Sequence, residues 1–256
     1  MKSLDLNCDL GEGFGVYQVG DDEQLLQYVT SANVACGFHA GDPSTMAKTV
    51  RLAVASGVSV GAHPSLADLQ GFGRREMVVS PAEVYDAVAY QLGALKAIAK
   101  AAGTSVRHVK AHGALYNMAA KNEQLAEAIS RAVKDVDSSL VFYAPAGTLS
   151  VTVARDVGLR VLCEVFGDRT YQDDGTITPR KLPRAMIASL DESVAQVKNM
   201  LQDGFVRSLS GREIPIEADT LCIHGDQPGA VSFVKGVREA LIAAGVTLSA
   251  PSSTSH

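Results

Sequence analysis

The chain contains no tryptophan, and aromatic residues make up only 5% of its 256 residues. Cysteine is sparse as well. Cys8, Cys36, Cys163 and Cys222 form no Cys-x-x-Cys pair, and each lies in an apolar stretch. This excludes a disulfide scaffold and predicts four buried, reduced thiols at strand positions. No long uncharged apolar run is present, so no segment is expected to span a bilayer. Asp5 and Asp9 fall where a signal peptide needs its apolar core, which predicts a cytoplasmic protein. The net charge is only −5, and Lys and Arg are scattered rather than gathered in a stripe, which argues against nucleic acid as a partner. A Gly-x-x-x-x-Gly-Lys-Ser/Thr loop is missing, which excludes a P-loop nucleotide site. So is a Gly-x-Ser-x-Gly elbow, which removes the usual serine-hydrolase reading.

What is there is a globular composition, 46% hydrophobic and 20% charged. Short apolar runs alternate with helical patterns. The predicted strands cover 3–9, 31–37, 58–63, 107–112, 140–144, 160–166 and 220–224, as in a parallel sheet covered by helices. Several helix ends are legible. Ser80-Pro81-Ala82-Glu83 reads as a capping box with proline at the first helical position, and Asp42-Pro43 opens a second helix. Further apolar faces run through Leu125, Ile129 and Val133, through Val194, Val197 and Leu201, and through Val231, Val234, Val237 and Leu241. Strict alternation implies right-handed crossovers and an all-parallel sheet. An open doubly wound sheet would also satisfy it. The expectation is an α/β fold: one irregular, TIM-like parallel (β/α) barrel of about seven strands over 1–249, with a polar, disordered tail over 250–256. Residues 64–79 and 167–190 are long for βα loops, the kind of loop that carries function.

The positions of the polar residues are the most informative feature. His39, His63, His112 and His224 each close a predicted strand, joined by Asn7 and Asp9 after the first and by Glu164 and Asp168 after the sixth. In a parallel barrel the strand ends converge on one mouth, where active sites of this architecture sit. A core has no need of such residues, and burying unpaired charge is costly. Lys110 and His112 share one strand face, and an inward lysine calls for an anion. His108 lies at the other end of that face and reads as structural. Asp42 and Asp226 each sit just before a proline, so helix capping competes with catalysis for both. His39 and His63 with Asp9 would suit a divalent metal, although no His-x-His or His-Glu-x-x-His spacing supports one. The alternative is a hydrogen-bonding cluster around an anionic substrate. Gly11-Glu12-Gly13-Phe14-Gly15 follows a strand without opening a helix. It therefore reads as a tight functional loop, with Glu12 as an acid or base. Arg74-Arg75, and Arg169 beside Asp168, read equally well as anion clamps or as surface ion pairs. Gly37, Gly61 and Gly113 most simply permit tight turns.

These blocks resemble the LamB/YcsF family. They run from Asp5-Leu6-Asn7-Cys8-Asp9-Leu10-Gly11-Glu12-Gly13 through Asn33-Val34-Ala35-Cys36-Gly37-Phe38-His39-Ala40-Gly41-Asp42-Pro43 and Gly61-Ala62-His63-Pro64. They continue with Gly71-Phe72-Gly73-Arg74-Arg75, Lys110-Ala111-His112-Gly113, Glu164-Val165-Phe166-Gly167-Asp168-Arg169 and His224-Gly225-Asp226. The chain departs from the family pattern at Leu66-Ala67, Ala111, Gly167 and 176–188, and none of these departures removes an ionisable candidate. The resemblance implies a barrel related to metal-dependent deacetylases. It also implies a role in ATP-dependent hydrolysis of 5-oxo-L-proline to L-glutamate with two partner proteins. ATP would be a co-substrate held mainly by those partners, and a divalent metal is open, with Asp9, His39 and His63 as its ligands. In that picture Asp9 or Glu12 acts as base, and Lys110 and His112 stabilise developing negative charge. His39 and His63 orient water, and Arg74 or Arg169 holds the substrate carboxylate. Asn7, Asp168, His224 and Asp226 complete the substrate site. A stand-alone metal-dependent hydrolase of acylated sugars or amides, and a non-catalytic scaffold, are the alternatives. A homo-oligomer is also open.

Overall fold

The computed structural model describes residues 3–227 and 229–251. From β1 (Ser3–Leu10) the chain passes through α1 (Asp22–Leu25) to β2 (Ser31–Ala35), then through α2 (Pro43–Ala55) to β3 (Ser59–His63). The long helix α3 (Pro81–Ala101) leads to β4 (His108–Lys110), and α4 (Gly113–Ala119) and α5 (Glu123–Val136) lead to β5 (Val141–Pro145). After α6 (Leu149–Val157), β6 (Arg160–Phe166) and α7 (Leu190–Lys198) comes a hairpin, β7 (Phe205–Arg207) and β8 (Glu213–Pro215). The chain ends through β9 (Thr220–Cys222), α8 (Ala230–Ala243) and β10 (Thr247–Leu248). Strands β1 to β6 and β9 pair in parallel, and β9 pairs back onto β1, so the sheet closes into a seven-stranded barrel ringed by helices. β10 adds alongside the start of β1, with Ser3 opposite Thr247.

The helices form where the sequence supplies caps. Asp42 accepts from the Ser44 and Thr45 amides at the start of α2, so capping is the role the structure gives it. Ser80 and Glu83 cap α3 reciprocally, and Asn122 accepts from the Leu125 amide to start α5. The predicted stripe of α5 is buried, and α3 buries Val84, Val88, Leu92, Leu95 and Ala99. In α7 the buried positions are Ser193, Val197 and then Met200 rather than Leu201, because the helix widens into a π-helical turn over Asn199–Asp203 that shifts the face. Helices α4 and α6 and the β7–β8 hairpin have no counterpart among the predicted elements. The predicted tail lies largely outside the described residues. No helix among the described residues is long and apolar enough to cross a membrane.

Strand periodicity assigns the two faces of the barrel. Leu4, Leu6, Cys8 and Leu10 of β1 belong to the apolar core that the helices complete. The alternate residues Asp5, Asn7 and Asp9 turn into the barrel. There Asp5 accepts from Thr30, Ser31, Tyr143 and Thr220, all within 2.8 Å. One layer up, Asn33 donates to Asn7 and Asp9, and His108 lies 2.8 Å from Asn33 Oδ1, stacked on Tyr143. The barrel interior is thus polar and hydrogen-bonded, and the apolar core is an annulus outside it. Gly61 corrects the expectation of a tight turn. A Cβ there would lie 2.0 Å from His108 Nε2, so the glycine makes room for that ring. All four cysteines are buried free thiols, as expected.

Burial, then the nearby Lys110, holds the His108 imidazole down to about 3. An unfolded histidine titrates near 6.5, so this contribution to stability is complete above about pH 6.5 and is lost as pH falls toward 3, at about 1.4 kcal/mol per pH unit. Urea unfolding followed from pH 7 to pH 4.5 is expected to show a shallower acid loss for His108→Gln than for the wild type, by about one proton's worth of slope.

Candidate functional site

The C-terminal strand ends surround a cavity of about 770 Å³. Lys110 is its electrostatic hub. Its Nζ lies 3.0 Å from Asp9 Oδ1, 2.8 Å from Glu164 Oε1, 3.3 Å from Asn7 Oδ1 and 3.1 Å from Cys222 Sγ. Burial disfavours the ammonium, but Asp9, Cys222 and Glu164 outweigh it and hold the lysine charged, well above its usual range. Asp9 is likewise buried, yet His63 and Lys110 drive its carboxyl well below the ordinary range. Glu164 is fixed from its other side by the Tyr116 hydroxyl at 2.6 Å.

Beside this hub stand three histidines and a glutamate. His63 Nδ1 donates to the Lys110 carbonyl at 2.8 Å, and His112 Nε2 donates to the Phe72 carbonyl at 2.9 Å. Each ring has then used the proton of its neutral form. The remaining nitrogens, His63 Nε2 and His112 Nδ1, face each other at 2.9 Å. Two lone pairs at that distance require an extra proton or a cation. His39 stacks on His112 at 3.8 Å, and neither of its ring nitrogens has a hydrogen-bond partner. Glu12 Oε1 is 3.6 Å from His39 Nε2 and 3.7 Å from His112 Nδ1. Burial, with Asp9 and Asp226 nearby, pushes the Glu12 carboxyl well above its normal range. Burial and neighbouring histidines push His39 and His112 down. One donor atom each from Glu12, His39, His63 and His112 falls within 4.8 Å of the others, a set that fits a divalent metal.

Across the mouth, Asp168 accepts from the His224 amide at 3.0 Å and lies 2.8 Å from His224 Nδ1, while the imidazole stacks on Phe166. Arg169 donates to the Ala185 and Thr178 carbonyls and so pins the 167–190 loop. Arg74 donates to Asp226 at 2.6 Å, and Arg75 is engaged with Asp68 at the surface.

A model of the LamB/YcsF family matches residues 4–256. The chain belongs to the LamB/YcsF family. It is 57% identical to a 5-oxoprolinase subunit from Bordetella pertussis, over 97% of this chain and 98% of that one. It is 53% identical to the corresponding 5-oxoprolinase subunit from Bacillus subtilis, over 98% of this chain and 97% of that one. Among solved structures, the lactam utilization protein of Thermus thermophilus superposes with a TM-score of 0.92 at 47% identity, covering 98% of this chain and all of that one.

In this LamB/YcsF chain the residues predicted from sequence do converge on one mouth, but in two layers. Asp9, His63, Arg74, Lys110 and His112 line the cavity, as do Arg169 and His224. Asn7, Glu12, His39, Asp168 and Asp226 stand behind that wall. The suggested ligands Asp9, His39 and His63 are not grouped as one set. Asp9 Oδ2 is 3.2 Å from His63 Nε2, but its carboxylate is taken up by Lys110 and Asn33, and Glu12 and His112 join the two histidines instead. Sequence reasoning missed Tyr116 and Arg180. Tyr116 sits on a helix whose pattern was not recognised, and Arg180 sits in a loop without periodicity. Glu164 was placed at the mouth but given no partner. Its pairing with Lys110 follows only once β4 and β6 flank β5 in the closed barrel.

Replacing Lys110 by Met leaves Asp9 and Glu164 buried against each other without their cation. Unfolding free energy is expected to fall by about 3–5 kcal/mol, measured by urea denaturation.

Proposed function

We propose that the chain is one component of an ATP-dependent 5-oxoprolinase. With two partner proteins it would open the lactam of 5-oxo-L-proline with water, giving L-glutamate as ATP is cleaved to ADP and phosphate. The full-length likeness to relatives named as 5-oxoprolinase subunits carries this reading. The mouth supplies compatible chemistry. An amide carbonyl resists water, and phosphorylation of its oxygen by ATP would make it a better electrophile. The chain has no P-loop, so phosphoryl donation falls to the assembled complex, and the barrel takes the hydrolytic half.

In that half, His63 and His112 face the cavity and orient the attacking water. Its proton passes through this pair to Glu12, the carboxylate whose affinity for a proton burial has raised. Asp9 stays ionised and keeps Lys110 and His63 in place. Lys110, shared between two carboxylates, is a fixed positive charge below the reacting carbonyl. Arg169, immobilised by loop carbonyls, offers its charge to the substrate carboxylate. Glu12, His39, His63 and His112 would alternatively hold a divalent metal, which when bound would supply a water of lowered pKa in place of that relay, since the same lone pairs serve one or the other. The facing lone pairs of His63 and His112 also favour a second reading, a metal-dependent hydrolase acting without ATP.

The test is glutamate release from 5-oxo-L-proline by the purified chain, alone and with its partners, with and without ATP, together with elemental analysis. Glutamate is expected only with partners and ATP. Glu12→Gln is expected to lower that rate by about 10²-fold or more. No glutamate from any mixture, with stoichiometric metal in the sample, would replace this reading by the second one.

A further inference from the structure

Arg180, on the 167–190 loop, reaches the mouth and ends beside Arg74. Both guanidinium groups meet one carboxylate, Asp226: Arg74 Nη2 at 2.6 Å and Arg180 Nη1 at 3.4 Å, both on Oδ2. The other halves of the pair are unused. Arg180 Nη2 and Asp226 Oδ1 are both buried, and neither has a hydrogen-bond partner. An arginine that only tied down its loop would engage the carboxylate through both nitrogens. Here one carboxylate oxygen holds two guanidinium groups, and one fork nitrogen is left over. Arg74 and Arg180 line the cavity together with Arg169, whereas Asp226 stands behind them. Asp168, the other carboxylate nearby, is engaged with His224. Three guanidinium groups therefore stand over two carboxylates, Asp168 beside Arg169 and Asp226 shared by Arg74 and Arg180, so the Arg74–Arg180 pair has only one negative charge between them.

We infer that Arg74 and Arg180 form a phosphoryl-binding clamp at the barrel mouth, with Asp226 as an internal stand-in anion that positions both side chains until the phosphoryl group arrives. A phosphoryl group that displaces Asp226 meets both guanidinium groups at once, and its several oxygens can then use the fork of Arg180, including Nη2, as well as Arg74. A planar carboxylate carries one charge and needs one fork, which Arg169 offers separately. That the phosphoryl group originates from ATP rests on the oxoprolinase reading. The clamp itself does not.

The test uses the full-length chain and inorganic phosphate as probe, by titration calorimetry at fixed ionic strength. Arg180→Gln is expected to weaken phosphate binding at least about tenfold, the size of one lost charge-assisted bond. Asp226→Asn is expected to act in the opposite direction and tighten it, because the competing anion is removed. Arg131→Gln, a charge change on the exposed face of α5, is expected to change nothing. No binding by the wild type, or binding indifferent to both mouth substitutions, overturns the clamp. So does binding of 5-oxo-L-proline, but not phosphate, that depends on Arg180. Should the clamp bind phosphate as expected while no mixture releases glutamate, the oxoprolinase reading fails and the clamp stands.

Discussion

The ammonium group of Lys110, held between Asp9 and Glu164, is the interaction on which the rest of the mouth depends. Two buried carboxylates, from the β1 and β6 strands that flank β9, turn into the closed barrel toward one point, and a cation from β4 makes that arrangement tenable. Once the lysine is fixed, Asn7 and Asn33 are oriented by it and by Asp9, and Asn33 in turn receives His108. Asp9 also draws His63 into register with the neighbouring imidazoles. The polar interior is one connected network from Asp5 at the base to the mouth. Single substitutions inside it are therefore felt several residues away.

This explains which parts of the molecule could be read from the sequence. The seven strands were legible because their outward faces are apolar and their lengths are punctuated by caps. Convergence of the ionisable residues was legible because a parallel barrel sends every strand end to the same side. Pairing was not. Nothing in the order of residues says that Lys110 meets Glu164, or that Glu12 lies closer to the imidazoles than to open cavity, since each contact joins strands distant in the chain. Gly61 shows the same limit. Its lack of a side chain suggested a turn, whereas its reason is the His108 ring on the adjacent strand. Helix α4, of seven residues, is too short to show a repeating stripe, and in α7 the π-helical turn breaks the period after Val197, so Met200 is buried in place of Leu201.

The two layers of the site divide labour. The wall residues carry charge and face the cavity, and those behind set their protonation and direction. The 167–190 loop belongs to both layers, since Asp168 stands behind the wall while Arg169, the loop's buried anchor, and Arg180 line it. Such an arrangement lets a loop without regular structure hold charged groups as firmly as a strand would, because backbone carbonyls rather than other side chains fix the anchor.

Phe72 carries a further consequence. It is a non-glycine residue held at φ +55°, in a left-handed conformation that costs about 1–2 kcal/mol, and the carbonyl it presents is the acceptor for His112 Nε2. The neighbouring Gly73 lets this backbone press against His39 and His112, where a Cβ would come within 2.7 Å of His39. The position of the 64–80 segment and the tautomer of His112 are thus a single variable. Lifting the loop removes the acceptor, frees the proton on Nε2 and relaxes the strained residue in the same movement.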